Sequence, residues 1–172
     1  MITFNSPNIL INMHTCYVTT DQQIEDIRII FREYYEELLK VDTCFRDFEK
    51  ELEALPGEYS EPDGTLILAM EADVVAGCVA LRKIDKEICE MKRLFVRRDF
   101  RRQGWGRVLA DKIVDEAASK GYSLIRLDTL DTLKEANTLY KSMGFRPIAP
   151  YLEDTSIELV YWGLDLKNES SS

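Results

Sequence analysis

Between Thr65 and Val96 the chain runs through three β-rich stretches with almost nothing between them. They span 66–71, 74–84 and 88–96, and the breaks are short polar turns at Ala72-Asp73 and Asp85-Lys86. A parallel neighbour needs a crossover of a dozen or more residues, whereas antiparallel neighbours can be joined by a two-residue turn. Three strands linked this tightly predict an antiparallel meander, and any sheet this chain forms is built around it.

The flanks read as alternating elements. Residues 14–19 alternate as a strand, Thr20 or Asp21 can cap a helix running to about Lys40, and Ile24, Ile27, Phe31, Tyr34 and Leu38 fall on one face of it. Phe45, Phe48, Leu52 and Leu55 mark a second, shorter helix stopped by Pro56-Gly57, and Asp63-Gly64 reads as a turn. After the meander a helix over 104–120 is expected to bury Val108, Leu109, Ile113, Val114 and Ala117 and to end at Gly121. Then come a strand over 123–128, a helix over 132–143 with Leu133, Ala136, Leu139, Tyr140 and Met143 inward, and strands over 145–148 and 156–162. The order β-α-α-β-β-β-α-β-α-β-β predicts an α/β fold with a mixed, mostly antiparallel central sheet flanked by helices. With 172 residues, one domain over 1–172 is expected, with 1–12 as an N-terminal extension and 167–172 as a C-terminal tail.

Charge narrows the partners. The formal net charge of -9 argues against nucleic acid. Between Asp21 and Asp63 there are fourteen Asp or Glu against five Lys or Arg, so this stretch carries the whole imbalance. Within the neutral remainder, Lys92, Arg93, Arg97, Arg98, Arg101, Arg102 and Arg107 face only Asp99, which points to a local anion site. No stretch approaches the roughly 18 apolar residues of a membrane span, and the first dozen residues lack the basic start of a secretory signal. Cytoplasmic residence with no membrane partner is the expectation. Cys16, Cys44, Cys78 and Cys89 are scattered without a C-x-x-C pair, so buried thiols are expected rather than a metal site. His14 alternates with apolar residues in the first strand, as a core or edge residue.

The stretch Arg101-Arg102-Gln103-Gly104-Trp105-Gly106 carries the chemistry. It leads from a strand into a helix start, where the first backbone N–H groups lack partners, and glycine at 104 and 106 lets a polyanion approach without a Cβ in the way. A pyrophosphate fits such a cradle. No G-x-x-x-x-G-K-[ST] loop is present, and a G-x-G-x-x-G fingerprint would need glycine where Leu109 stands.

Together, Glu90-Met91-Lys92-Arg93-Leu94-Phe95-Val96 leading into Arg101-x-x-Gly104-x-Gly106, and Ala136-Asn137-Thr138-Leu139-Tyr140-Lys141-Ser142-Met143-Gly144-Phe145, resemble the GCN5-related N-acetyltransferase (GNAT) family over about 65–166. The resemblance implies the acyl-CoA N-acyltransferase fold and acetyl transfer from acetyl-CoA to a primary amine, with no metal. It implies that the donor's pyrophosphate lies on the backbone amides of Arg102, Gln103, Gly104, Trp105, Gly106 and Arg107. The pantetheine arm would pair with Leu94 and Val96 and touch Asn137, and an N–H near Leu94 or Phe95 would meet the tetrahedral oxygen. Glu90 matches a position where several members carry a base, although a strand carboxylate paired with Lys92 or Arg82 is the other reading. Tyr140 matches the family's proton donor to the departing thiolate.

The resemblance implies a small-molecule or peptide amine as acceptor, and the acidic stretch 21–63 raises a cationic one as an expectation. A catalytically idle acyl-CoA-binding module of the same fold is the alternative. A C-terminal strand over 156–162 offers an edge through which two chains could pair as a homodimer.

Overall fold

The computed structural model describes residues 13–38, 45–153 and 158–167. The expected helix end at Lys40, Cys44 and the strand start at Ser156 lie outside these residues, as do the side chains of Leu38 and Phe45. The elements are β1 (Met13–Tyr17), α1 (Asp21–Leu38), α2 (Phe45–Ala54), β2 (Thr65–Glu71), β3 (Val74–Lys83), β4 (Ile88–Val96), α3 (Trp105–Ser119), β5 (Leu124–Leu130), α4 (Lys134–Ser142), β6 (Arg146–Pro147) and β7 (Leu159–Asp165). Short 3₁₀ turns occupy Gly57–Tyr59 and Arg98–Phe100.

Among the described residues seven strands form one sheet in the order β1-β2-β3-β4-β5-β7-β6. The meander β2-β3-β4 sits in it as the turn spacing requires, every described pairing is antiparallel except β4 with β5, and the fold is mixed α/β. Because side chains alternate along a strand, β2 sends Ile67 and Ala69 to one face and Leu66 and Leu68 to the other. On the first face α3 lays Trp105, Leu109, Ala110, Ile113 and Ala117 against the sheet, joined by Tyr140 and Phe145. On the second, α1 and α2 bury Ile27, Ile30, Phe31, Phe48 and Leu52. Each such side chain contributes about 1.5–3 kcal/mol when fully buried. The start of α1 is fixed by reciprocal bonds, since Gln23 N–H donates to Thr20 Oγ1 at 3.2 Å and Thr20 N–H to Gln23 Oε1 at 3.1 Å.

Several expectations are corrected. Val108 is exposed, because at 3.6 residues per turn it falls opposite the stripe running from Trp105 through Leu109 and Ile113. The last strand runs over Leu159–Asp165, later than expected, and lies between β5 and β6, with β6 pairing along its outer edge at Trp162 and Gly163. Gly64 is required by contact as well as by a turn, since a Cβ there would stand 2.6 Å from the Tyr59 carbonyl carbon. His14 is exposed on edge strand β1, Cys78 and Cys89 are buried, and burial pushes the Cys89 thiol up to about 12. Among the described residues no helix is long and apolar enough to cross a membrane.

Candidate active site

The site begins where the sheet forks. β4 and β5 pair for three rungs only, Ile88 with Leu124, Cys89 with Ile125 and Glu90 with Arg126. Beyond Arg126, β5 continues along β7 to Leu130, while β4 turns away through a bulge. There Val79 of β3 faces both Arg93 and Leu94, and Arg93 takes the left-handed φ of 59° that a non-glycine residue adopts only when held. Arg93 is held by Glu51 of α2, with Nε donating to Oε1 at 3.1 Å and Nη2 to Oε2 at 2.5 Å. Its guanidinium also lies 5.5 Å from the Tyr34 ring and 5.7 Å from that of Phe48. Burial alone would raise the Glu51 pKa, but the hydrogen bond and charge of Arg93 outweigh it and keep the carboxyl below its ordinary value. Gly77 makes the bulge possible, because a Cβ there would sit 2.6 Å from the Phe95 carbonyl oxygen.

A groove of about 500 Å³ opens from the fork toward the glycine loop. Leu94, Phe95 and Val96 form one wall, Arg101, Arg102, Gly104, Trp105 and Gly106 close one end, and Leu133, Ala136, Leu139 and Tyr140 form the opposite side. The first bond of α3 closes from Val108 N–H to Gly104 O, leaving the amides of Trp105, Gly106 and Arg107 free of helical partners. Gly104 supplies the positive φ of 89° that turns the chain into the helix. Gly106 is not demanded by packing, since its Cβ would meet nothing nearer than Leu139 Cδ2 at 3.8 Å. The space beside it belongs to the groove, and open amides next to a missing Cβ fit a pyrophosphate.

Most of the basic cluster is already paired, and Arg102, which lines that end, is the member with no ion pair among the described residues. Arg97 is bidentate to Glu33 at 2.7 Å, Arg101 binds Glu37 at 2.6 Å and the Val96 carbonyl at 2.8 Å, and Arg107 pairs with Asp111 at 2.8 Å. Three acids of 21–63, Glu33, Glu37 and Glu51, thus pair with arginines of 93–101, which takes up much of the local cation excess and part of the acidic excess read from composition. Three other expected cofactor residues have side chains engaged elsewhere, although for Gln103 and Arg107 the expected contact is the backbone amide. Gln103 donates to the Asp99 carbonyl at 3.2 Å, and exposed Arg107 points to Asp111. Asn137 is turned inward, its Nδ2 donating to Leu130 O and Leu133 O and its Oδ1 accepting from Trp162 Nε1 at 2.9 Å.

At the fork a smaller chamber of about 200 Å³ shares Leu94, Leu133, Ala136 and Tyr140 with the groove and adds Tyr34, Lys92, Arg93 and Asp128. Burial, with smaller contributions from Tyr34 and Asp128, pushes the Tyr140 phenol well above its ordinary pKa, so it stays protonated. Glu90 is 1% exposed and lines neither cavity. Its Oε1 accepts from Arg82 at 2.7 Å, its Oε2 from Arg126 at 3.0 Å, and Lys92 Nζ stands 3.5 Å away. The Glu90–Arg126 pair joins the two residues of the last rung before the strands part. Sequence reasoning missed Arg126, Asp128 and Tyr151, and named Lys92 only in the basic cluster, in the motif and as a partner of Glu90. Alternation in the fifth strand puts Arg126 and Asp128 on one face and could have flagged them, but Tyr151 sits in an irregular segment with no periodic signal.

Residues 24–145 match the family model described as Acetyltransferase (GNAT) family. The chain belongs to the GNAT family. An uncharacterized N-acetyltransferase of Schizosaccharomyces pombe is 34% identical over 157 residues, covering 90% of this chain and 96% of that one. A GNAT-family acetyltransferase of Staphylococcus aureus Mu50 superposes with a TM-score of 0.74 at 23% identity, over 90% of this chain and 99% of that one. A GNAT-family acetyltransferase of Elizabethkingia anophelis with acetyl-CoA bound gives 0.64 at 22%, over 90% and 98%. At these identities the two structures establish the GNAT fold, while the family match establishes membership.

Proposed function

We propose that this GNAT protein transfers an acetyl group from acetyl-CoA to a primary amine of a small molecule or peptide. The observation that carries the reading is the continuity of groove and chamber, from the open amides of Trp105 to Arg107 to the Tyr140 phenol at the fork. The donor substrate supplies the activated acyl carbon and a thiolate leaving group. Amides of residues 102–107 take its pyrophosphate, while Leu94, Phe95 and Val96 offer an unpaired strand edge to its arm. The bulge leaves the backbone at Arg93 and Leu94 out of the regular ladder, which supports an N–H near Leu94 or Phe95 as the donor to the tetrahedral oxygen. Tyr140, protonated and lining both cavities, gives its proton to the departing sulfur.

Glu90, expected as the base, is better suited to hold Arg82, Lys92 and Arg126 in place, because those cations occupy its oxygens and it does not reach the chamber. Pairing with arginines takes Glu33, Glu37 and Glu51 out of the acidic stretch that would favour a cationic acceptor.

Thiol release from acetyl-CoA with an amine panel tests the reading, together with thermal stabilisation. Acetyl-CoA at a hundredfold excess over Kd is expected to add about 2.7 kcal/mol, and NAD to add nothing. Tyr140→Phe is expected to lower kcat roughly a hundredfold while the stabilisation persists. Stabilisation without turnover on any amine would favour the idle binding module instead.

A further inference from the structure

The chamber has two sides, and they carry different chemistry. Tyr140 reaches it from the α3/α4 face of the sheet, where the groove lies. The opposite face at the fork, away from the cores of α1 and α2, carries Glu90, Lys92, Arg126 and Asp128, because each alternates with a residue buried toward α3. Of these, Lys92 and Asp128 line the chamber.

We infer that Asp128 is the catalytic proton acceptor for the amine, entering from the face opposite the donor groove. This rests on the acetyl-transfer reading and names a residue for it.

Asp128 is 14% exposed, so its carboxylate is reachable yet fixed. Tyr151 donates its phenol to Oδ1 at 3.0 Å, and Lys92 Nζ stands 3.6 Å from the same oxygen. Among the described residues no hydrogen bond engages Oδ2, whereas both oxygens of Glu90 accept from arginines. Tyr151 is itself fixed, with its ring 3.7 Å from the Arg126 guanidinium carbon and 4.9 Å from the Tyr161 ring. Among the described residues the titratable groups around Asp128 are Lys92, Arg93 and Glu90 of β4, Arg126 of its own strand, Tyr34 of α1, Tyr140 of α4, Tyr151, and Tyr161 of β7.

The step balances with these two groups. Asp128 takes one proton from the ammonium, and the freed nitrogen pair forms the C–N bond to the acetyl carbon. As the intermediate collapses the C–S bond breaks with its pair going to sulfur, and Tyr140 protonates the sulfur. The second nitrogen proton returns to Tyr140, and Asp128 yields its proton to water. One amide, one thiol and one released proton result from an ammonium and a thioester.

The test compares Asp128→Asn, Asp128→Glu and Tyr151→Phe with the unaltered protein. The probe amines are spermidine, an α-amino acid and a peptide with a free N-terminus, all largely protonated near pH 7, and methoxyamine, which is neutral there. For the protonated amines that the unaltered protein acetylates, Asp128→Asn is expected to cost roughly 10²–10⁴ in kcat/KM at pH 7. That loss shrinks as rising pH supplies neutral amine from solvent. Methoxyamine turnover is expected to fall less than about tenfold and acetyl-CoA affinity to hold, which a misfolded variant would not manage. Asp128→Glu is expected to restore part of the rate, and Tyr151→Phe to give a smaller loss of the same pH form. An equal loss at every pH and for methoxyamine overturns the assignment to Asp128 while leaving acetyl transfer intact. An unaltered protein that binds acetyl-CoA but acetylates none of the four amines overturns the transfer reading and this role with it.

Discussion

Glu90 and Asp128 lie on neighbouring strands and face the same way, yet their surroundings give them different work. Glu90 is sealed under Arg82, Arg126 and Lys92, and Asp128 looks into the chamber. Glu90→Gln removes the charge on which three cations converge, so a stability loss of about 3–5 kcal/mol is expected in chemical denaturation. The rate–pH profile of the surviving activity should keep its shape. A changed profile at unchanged stability would return the base to Glu90. The residue pattern in the sequence correctly brought Tyr140 and Gly106 into one groove, because a motif fixes which backbone turns and which helix face they occupy. It could not separate Glu90 from Asp128, nor see that Asn137 bonds inward, because those outcomes depend on partners distant along the chain, Arg126 for the first and Trp162 for the last.

At the scale of elements, β4 decides the site. Its first rungs lie against β5, its bulge turns the rest away, and Gly77 across from it accepts the close approach. Gly77→Ala would push a methyl group to 2.6 Å from the Phe95 carbonyl and 3.1 Å from Leu109 Cδ1. An overpacking cost of about 1–3 kcal/mol is expected, with acetyl-CoA stabilisation weakened as well because the groove wall must shift. Unchanged melting and binding would show that β3 and β4 yield there without consequence. The meander, both long helices and the order of elements were legible from turn lengths and periodicity. The bulge was not, because the run from Ile88 to Val96 reads as a smooth strand and only the pairing with β3 exposes the extra residue. Val108 was misplaced for a similar reason, since an apolar residue near a helical stripe need not lie on it.

Across the whole molecule, the helices α1 and α2 and the turn after them are bound to the sheet and loop by acid–arginine pairs. Glu33 holds Arg97, Glu37 holds Arg101, Glu51 holds Arg93 and Glu58 holds Arg82. Part of the charge asymmetry visible in the sequence is therefore internal structure. Because the Glu51 pKa is lowered on folding, its contribution is fully present above the unfolded value of about 4.3. It is lost as pH falls through the folded value. Glu51→Gln is expected to cost about 1–3 kcal/mol at neutral pH, and the gap in melting temperature should close as the pH drops below about 4. A gap that stayed constant into acid would mean that the carboxylate's charge is not what matters. The fork gives the molecule one more property. β1 to β4 form one plate and β5, β7 and β6 another, riveted by three rungs and by the Glu90–Arg126 pair at the last of them. Such a joint works as a lever. A small rotation at the rivet is magnified toward the open end, so packing changes at Ile88, Cys89, Leu124 or Ile125, none of which lines either cavity, would set the spacing between the proton donor and the incoming amine.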